Sequence, residues 1–401
     1  MKKSSIPYCK EMPNNWQEIP NRYLFEYHSK KVGTTWMDYQ LLSLTTSGVK
    51  EKDINSSGGK VPDSYESYQT VEPGDMIFCL FDLDVSAVFS GLSHNHGMIT
   101  SAYDVVKPNH KLLDQGFSDY WFQYVFSNRY YKMYSKNIRY TITSDMFKSI
   151  KTPIPPMSVQ KSIAAFLNKK TSDIDSLIEI ENQQIEKLKE YKQAVITDTV
   201  TKGLDKNVPM IDSGVDWIGK INEKYHLERL RFLVDIETGN QDTQNADANG
   251  AYPFYVRSPI IERNNNYSFE GPGILMAGDG AGAGRVFHYA EGKYAVHQRV
   301  YRFSNFKKIN PILLKYYLES LFPKLMEYGS AQTTVPSVRL PMILNFQVVV
   351  QNNQEEILEY INKKCTVIDT LMTIKQQKID VLKEYKKSLI YEYVTGKKEV
   401  G

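Results

Sequence analysis

Ile163–Thr201 reads IAAFLNKKTSDIDSLIEIENQQIEKLKEYKQAVITDTVT, and 194 positions later Ile357–Thr395 reads ILEYINKKCTVIDTLMTIKQQKIDVLKEYKKSLIYEYVT. Eighteen of the aligned positions are identical, and no gap is needed. A match of that length is an internal duplication, and its period is far too long for a solenoid. The chain therefore runs globular segment, helix, globular segment, helix. The expected boundaries are 1–157, 158–203, 204–350 and 351–401.

Inside the first copy the apolar residues Leu167, Ile174, Ile178, Ile185, Leu188 and Val195 recur at heptad-like spacings. Ile361, Ile368, Met372, Ile379, Leu382 and Leu389 fall in the same places in the second. Charged and amide side chains fill the other faces, which predicts a coiled-coil seam. About 40 helical residues extend roughly 60 Å, too long to lie inside one small domain. Each helix could pair with a different chain. Identical seams on one chain favour pairing with each other, antiparallel and about a pseudo-twofold axis. Glu181 and Lys375 share a seam position with opposite charge, and such a pair should meet near the midpoint. Asn353 with Glu356 reads as a capping box for the second helix, and Ser158 as the cap of the first. Gly203 and Gly396 stand where helix-stopping glycines belong.

Composition sets looser bounds. The chain has 401 residues and a net charge of +3, and none of the four segments exceeds +1. No segment has the basic excess that announces nucleic acid by itself. Cys9, Cys79 and Cys365 form no CxxC pair, which suits a reducing interior rather than a disulfide framework. No secretory leader and no run of 18 apolar residues is present, so a cytoplasmic location is expected, without a membrane.

The two globular segments share an outline. Each opens on an aromatic and basic stretch, Trp16–Leu24 and Tyr225–Leu233. Each has a Gly-initiated apolar strand, Gly74–Phe78 and Gly273–Ala277, then an aromatic helix near 118–135 and 310–327. Tyr294–Phe303 alternates apolar and polar residues as one strand would.

Several motifs together resemble the specificity subunits of type I restriction–modification systems. They are Asp212-Ser213-Gly214-Val215-Asp216-Trp217-Ile218-Gly219, Ile154-Pro155-Pro156, Leu188-Lys189-Glu190-Tyr191-Lys192 and Val394-Thr395-Gly396-Lys397. The likeness covers nearly the whole chain, although Lys10–Trp16 lacks the Ser-Gly-Val element and Thr201-Lys202-Gly203 replaces Thr-Gly-Lys. The resemblance implies an α+β protein. Two mixed α/β target recognition domains would alternate with two long helices that pair as an antiparallel, pseudo-twofold coiled coil. It further implies a non-catalytic reader of double-stranded DNA that carries two methyltransferase subunits and, through the complex, restriction/translocase subunits. S-adenosylmethionine, ATP and Mg would then sit on those partners, and no cofactor or metal on this chain.

Candidate DNA-binding residues follow from chemistry and position. Arg pairs bidentately with guanine and Gln with adenine. In the second domain the choices are Gly280, Gly282 and Arg285, then His297 and Gln298 of the run His297-Gln298-Arg299, then Gln332, Thr333 and Thr334. Lys136, Asn137, Arg139, Tyr140 and Thr141 occupy the position in the first domain that Ser330–Val335 occupies in the second. The Gly278–Arg285 run is followed by a strand and a turn, so neither a dinucleotide fingerprint nor a P-loop fits. A hairpin loop and a loop close to a DNA groove both fit. His94-Asn95-His96 reads as an exposed polar turn rather than a metal site. A coiled-coil scaffold that never meets DNA is the alternative, and a nucleotide-using enzyme built on the glycine loop is a third reading.

Overall fold

The structure, a computed structural model, describes residues 1–45, 48–54, 64–83, 90–135, 140–328 and 336–400. Contacts divide the chain into two compact units, Met1–Glu181 with Gln377–Gly401, and Asn182–Gln376. Each unit takes one globular segment and part of both long helices.

In the first unit a four-stranded antiparallel sheet is built from β1 (Phe25–Tyr27), β2 (Met76–Phe78), β3 (Ser90–Leu92) and β4 (Asp104–Pro108). Their order across the sheet is β1-β4-β2-β3. Helix α1 (Gln115–Ser127), capped by the Asp114 carboxylate on the Phe117 N–H, lays Phe117, Trp121, Phe122 and Val125 into the core. Phe25, Phe78, Phe122 and Phe147 meet there with ring centroids 4.7–6.3 Å apart. Gln17–Pro20 pairs with Lys151–Ile154, which leads into the long helix α2 (Met157–Lys202).

The second unit repeats the plan with different residues. Its sheet contains β5 (Asp235–Thr238), β7 (Gly273–Ala277), β8 (Phe287–Ala290) and β10 (Val300–Ser304), in the order β5-β10-β7-β8. That is again first, fourth, second, third. Helix α3 (Pro311–Tyr328) takes the place of α1, and His226–Arg229 pairs with Gln347–Val350 ahead of the long helix α4 (Gln354–Val394). The first unit also pairs Gly48–Glu51 with Leu42–Thr45, bridges Leu41 to Met98 in parallel and pairs Gly97–Ile99 with Gln69–Val71; the second gathers the corresponding strands into one further sheet. In it β6 (Tyr252–Tyr255) runs parallel to β9 (Lys293–Val296), with Glu262–Asn264 and Phe269–Glu270 on its edges. The single strand expected over Tyr294–Phe303 is two strands, because His297–Arg299 turns the chain between β9 and β10. The turn is closed by the Val300 N–H on the His297 carbonyl at 2.9 Å.

The long helices run antiparallel within each unit. In the first, Lys386 donates to Asp175 at 2.7 Å and Lys378 to Glu181 at 2.6 Å. In the second, Lys192 donates to Asp369 at 2.7 Å and Lys375 to Gln184. Moving each residue to its repeat equivalent converts Asp175–Lys386 into Asp369–Lys192, and Glu181–Lys378 into Lys375–Gln184. The exposed pairs among these contribute roughly 0–1 kcal/mol each, so their role is register, whereas the Glu181 carboxylate is itself buried in the seam. The seam supplies the energy. Leu167, Ile174, Glu181, Ile361, Ile368 and Ile379 are buried, and Ile178, Ile185, Leu188, Met372, Lys375 and Leu382 half-buried, between exposed neighbours.

Two amide side chains outside the seam lock each domain to its helix. Gln160 accepts the Asp114 N–H and donates to the carbonyls of Leu112 and Pro155. Its repeat equivalent Gln354 accepts the Asn310 N–H and donates to those of Lys308 and Gln351. Likewise Asn168 accepts from Tyr120 and Asn362 from Tyr316.

Helix ends follow expectation in part. Gly203 and Gly396 take the left-handed conformation at φ 77° and 69°, each past the last turn. The first helix starts at Met157, with the Pro156 carbonyl accepting from Val159 and Gln160, so Ser158 lies inside it. Asn353 precedes the second helix, but its carbonyl oxygen accepts from the Tyr225 hydroxyl while its amide donates to Glu356. The capping-box geometry is therefore replaced by a link to the adjoining domain.

Candidate nucleic-acid interface

Parallel pairing of β6 with β9, and antiparallel pairing of β7 with β10, bring several strand ends to one rim of the second domain. The segments beyond them are Gly239–Asp242, Arg257–Ile260, Gly278–Arg285 and His297–Arg299. The last three follow β6, β7 and β9, whose final residues are buried, so a polar residue there sits on a rigid base, whereas Gly239–Asp242 follows the mostly exposed β5.

Five of the sequence-chosen residues lie on these segments. His297 is buried, and its Nδ1 accepts the backbone N–H of Arg299 at 2.9 Å. Burial, helped by the nearby Arg257 guanidinium, lowers its pKa, so the ring is neutral at pH 7 and carries its proton on Nε2. Gln298 is exposed and donates to Asp242 at 2.8 Å. Gly282 closes the loop, since a Cβ there would stand 2.6 Å from the Arg257 carbonyl. The Gly280 N–H donates to the Pro336 carbonyl at 3.0 Å. Arg285 turns toward α3, where it meets Glu327 at 3.5 Å.

Two residues central to the rim, Arg257 and Asp279, were not singled out from sequence, and Arg299 entered only within the run His297-Gln298-Arg299. Asp279 faces Arg257 Nη1 at 3.0 Å through one carboxylate oxygen and Arg299 Nε at 3.8 Å through the other. They are separated by about twenty positions on either side, and only strand pairing makes them neighbours. A usable signal existed, because each stands within three residues of the end of an apolar strand.

In the first domain Tyr140 has φ 43°, its carbonyl accepts from the Leu83 N–H at 3.3 Å, and its ring lies 3.9 Å from Lys132 Nζ. The Thr141 carbonyl accepts from Ser135 Oγ at 3.2 Å. Both are therefore held against the domain. Lys136, Asn137, Arg139, Gln332, Thr333 and Thr334 lie outside the described residues. His94 and His96 are exposed, with His96 on Glu72 at 2.8 Å. Among the described residues no three His, Cys, Asp or Glu side chains are grouped to hold a metal ion, and no helix is long and apolar enough to cross a membrane.

Residues 222–384 match the family described as type I restriction modification DNA specificity domain. Residues 124–257 match a second family, Tsp45I type II restriction enzyme, over a stretch that starts inside α1 and ends beyond β6. The type I restriction enzyme MjaVIII specificity subunit of Methanocaldococcus jannaschii is 26% identical over 280 residues, which are 64% of this chain and 64% of that one. The EcoDI specificity subunit of Escherichia coli is 24% identical over 185 residues, 44% of this chain and 39% of its own length. The chain thus matches less than two thirds of the length of either relative. A chain solved in the study "Structural basis underlying complex assembly and conformational transition of the type I R-M system" superposes over 96% of this one and 99% of its own length, with a TM-score of 0.71 and 12% identity. The HsdS subunit from Thermoanaerobacter tengcongensis covers 99% of this chain and 100% of its own, at a TM-score of 0.51 and 13% identity. The fold is shared with these proteins.

Proposed function

We propose, for a chain that resembles type I restriction–modification specificity subunits in sequence and in fold, that it is the DNA-reading subunit of such a system. The observation that carries this reading is the repeated domain plan. Both domains have the sheet order first, fourth, second, third, while the strand ends of the second, beyond β6, β7 and β9, carry Arg257, Asp279, His297, Gln298 and Arg299. A common framework with divergent rims suits two domains that read two different short sequences. The target is then bipartite and asymmetric, with unread base pairs between the halves. Catalysis would belong to partner subunits, together with S-adenosylmethionine, ATP and Mg.

Two like partners have matching places to dock. Leu177 and its repeat equivalent Leu371 are each 43% exposed, Ile180 and Ile374 are 47% and 54%, and Tyr191 and Tyr385 are 54% and 53%. Large apolar side chains left in water at the same positions of both helices suit two copies of one subunit, here a methyltransferase.

The test is to express the chain with the methyltransferase encoded beside it and to map modified bases in the host DNA. A bipartite, non-palindromic motif is expected. A single continuous or palindromic site would overturn the reading. Retention on duplex DNA should also fall steeply with salt, as a scaffold without DNA contacts would not show.

A further inference from the structure

The Asp279 carboxylate has a rigid seat and two more exposed partners. Its neighbours are pinned by the Gly278 N–H on the Arg299 carbonyl at 2.9 Å, the Val338 N–H on the Gly278 carbonyl at 2.8 Å and the Gly280 N–H on Pro336. Its side chain is 25% exposed, against 45% for Arg257 and 67% for Arg299. The carboxylate is thus the fixed member, and the guanidinium groups are oriented by it.

The two arginines are engaged differently. Arg257 gives a terminal nitrogen, Nη1, to Asp279 in a hydrogen bond at 3.0 Å. Arg299 is approached on its Nε edge at 3.8 Å, which leaves both terminal nitrogens of its fork, among the described residues, for a ligand. Its backbone is held at both ends, by His297 Nδ1 on its N–H and by Gly278 on its carbonyl. A neutral His297 is needed for the first of these bonds.

From this geometry we infer that Arg299, oriented by Asp279, reads a guanine in the half-site of the second domain. The inference rests on the DNA-reading function proposed above. Guanine offers O6 and N7 in the major groove as two uncharged acceptors spaced to fit the terminal nitrogens of one guanidinium. A phosphate would also accept from them, but it would bring its charge against a carboxylate that cannot withdraw. The carboxylate therefore penalises sequence-independent backbone contact and leaves base contact unpenalised. Arg257 fills the other carboxylate oxygen and keeps the group at one net positive charge. Asp279 is a positioning residue, because it acts through Arg299.

The experiment selects duplexes from a random library with the full-length chain and repeats the selection with variants. Wild type should enrich a motif with a G·C pair in the half contributed by the second domain. Arg299→Ala should turn that position into any base and leave the other half-site unchanged. Its affinity for the wild-type sequence should fall about ten- to a hundredfold. Arg299→Lys keeps the charge and loses the planar fork, so it should bind random duplex as wild type does and lose the guanine. Asp279→Asn should bind random duplex several-fold tighter while preferring guanine less. An unaltered motif from Arg299→Ala would overturn the inference alone. So would an Asp279→Asn protein that weakens on every sequence equally, the mark of a merely structural role. A wild-type chain that enriches no motif would overturn the DNA-reading function, and this inference with it.

Discussion

Asp119 lies on α1, where its carboxylate accepts the Leu92 N–H at 3.2 Å and the Gln123 amide at 2.7 Å. Burial pushes its pKa up to about 6, against the opposing pull of those two bonds and of His94. A folded-state value above the unfolded one favours the protonated form. Its stabilising contribution is complete below the unfolded value of about 3.9 and is lost as pH rises through about 6. Asp119→Asn keeps the shape and removes the titration. Urea titrations at pH 5 and 7.5 should show the variant gaining on wild type between the two, on the order of 1–2 kcal/mol. Single residues were legible in the sequence only where a local rule governs them. Gly203 and Gly396 follow such a rule. Gln160 and Gln354 do not, because their bonds reach across a domain boundary and a glutamine in the first turn of a helix has no distinctive local signature. Asp279 was visible only as one member of a glycine-rich run, since its partners lie on other strands.

At the scale of elements the two long helices were readable almost to their ends, because a heptad is a local pattern repeated many times. The seam makes a sharp comparison possible. Ile368 is 3% exposed and its neighbour Val367 54%. Ile368→Ala should cost about 2–4 kcal/mol by leaving a cavity against the opposing helix. Val367→Ala should stay within about 0.5 kcal/mol. Thermal unfolding of the two variants checks this, and equal losses would mean that the buried face is misplaced. Strand order was not readable. The strands β2 and β3 are three residues each and buried throughout, as is the five-residue β7, so no alternation marks a face. Their order depends on pairings between residues far apart in sequence. The domain-level duplication, plain in the sheets, is therefore faint in the sequence outside the helices.

For the whole molecule, the proposed function has consequences at the level of the DNA site. Exchanging residues 1–157 for the equivalent segment of a relative should change one half-site and leave the other intact. Adding seven residues to each long helix preserves the heptad and lengthens the pair by about 10.5 Å. Methylome mapping should then return the same two halves with the unread gap about three base pairs wider. The helices also bear on how the protein melts. Each compact unit has its own core, yet α2 and α4 are continuous through the boundaries at 181/182 and 376/377. Neither unit can lose its core without breaking both rods partway along, where each rod's remaining half still belongs to the other unit. Fraying at those points is unfavourable on both sides, so the two cores are thermally coupled. Differential scanning calorimetry should record a single endotherm whose van't Hoff and calorimetric enthalpies agree, rather than two successive peaks. Damage to the core of one domain would then lower the melting temperature of the other.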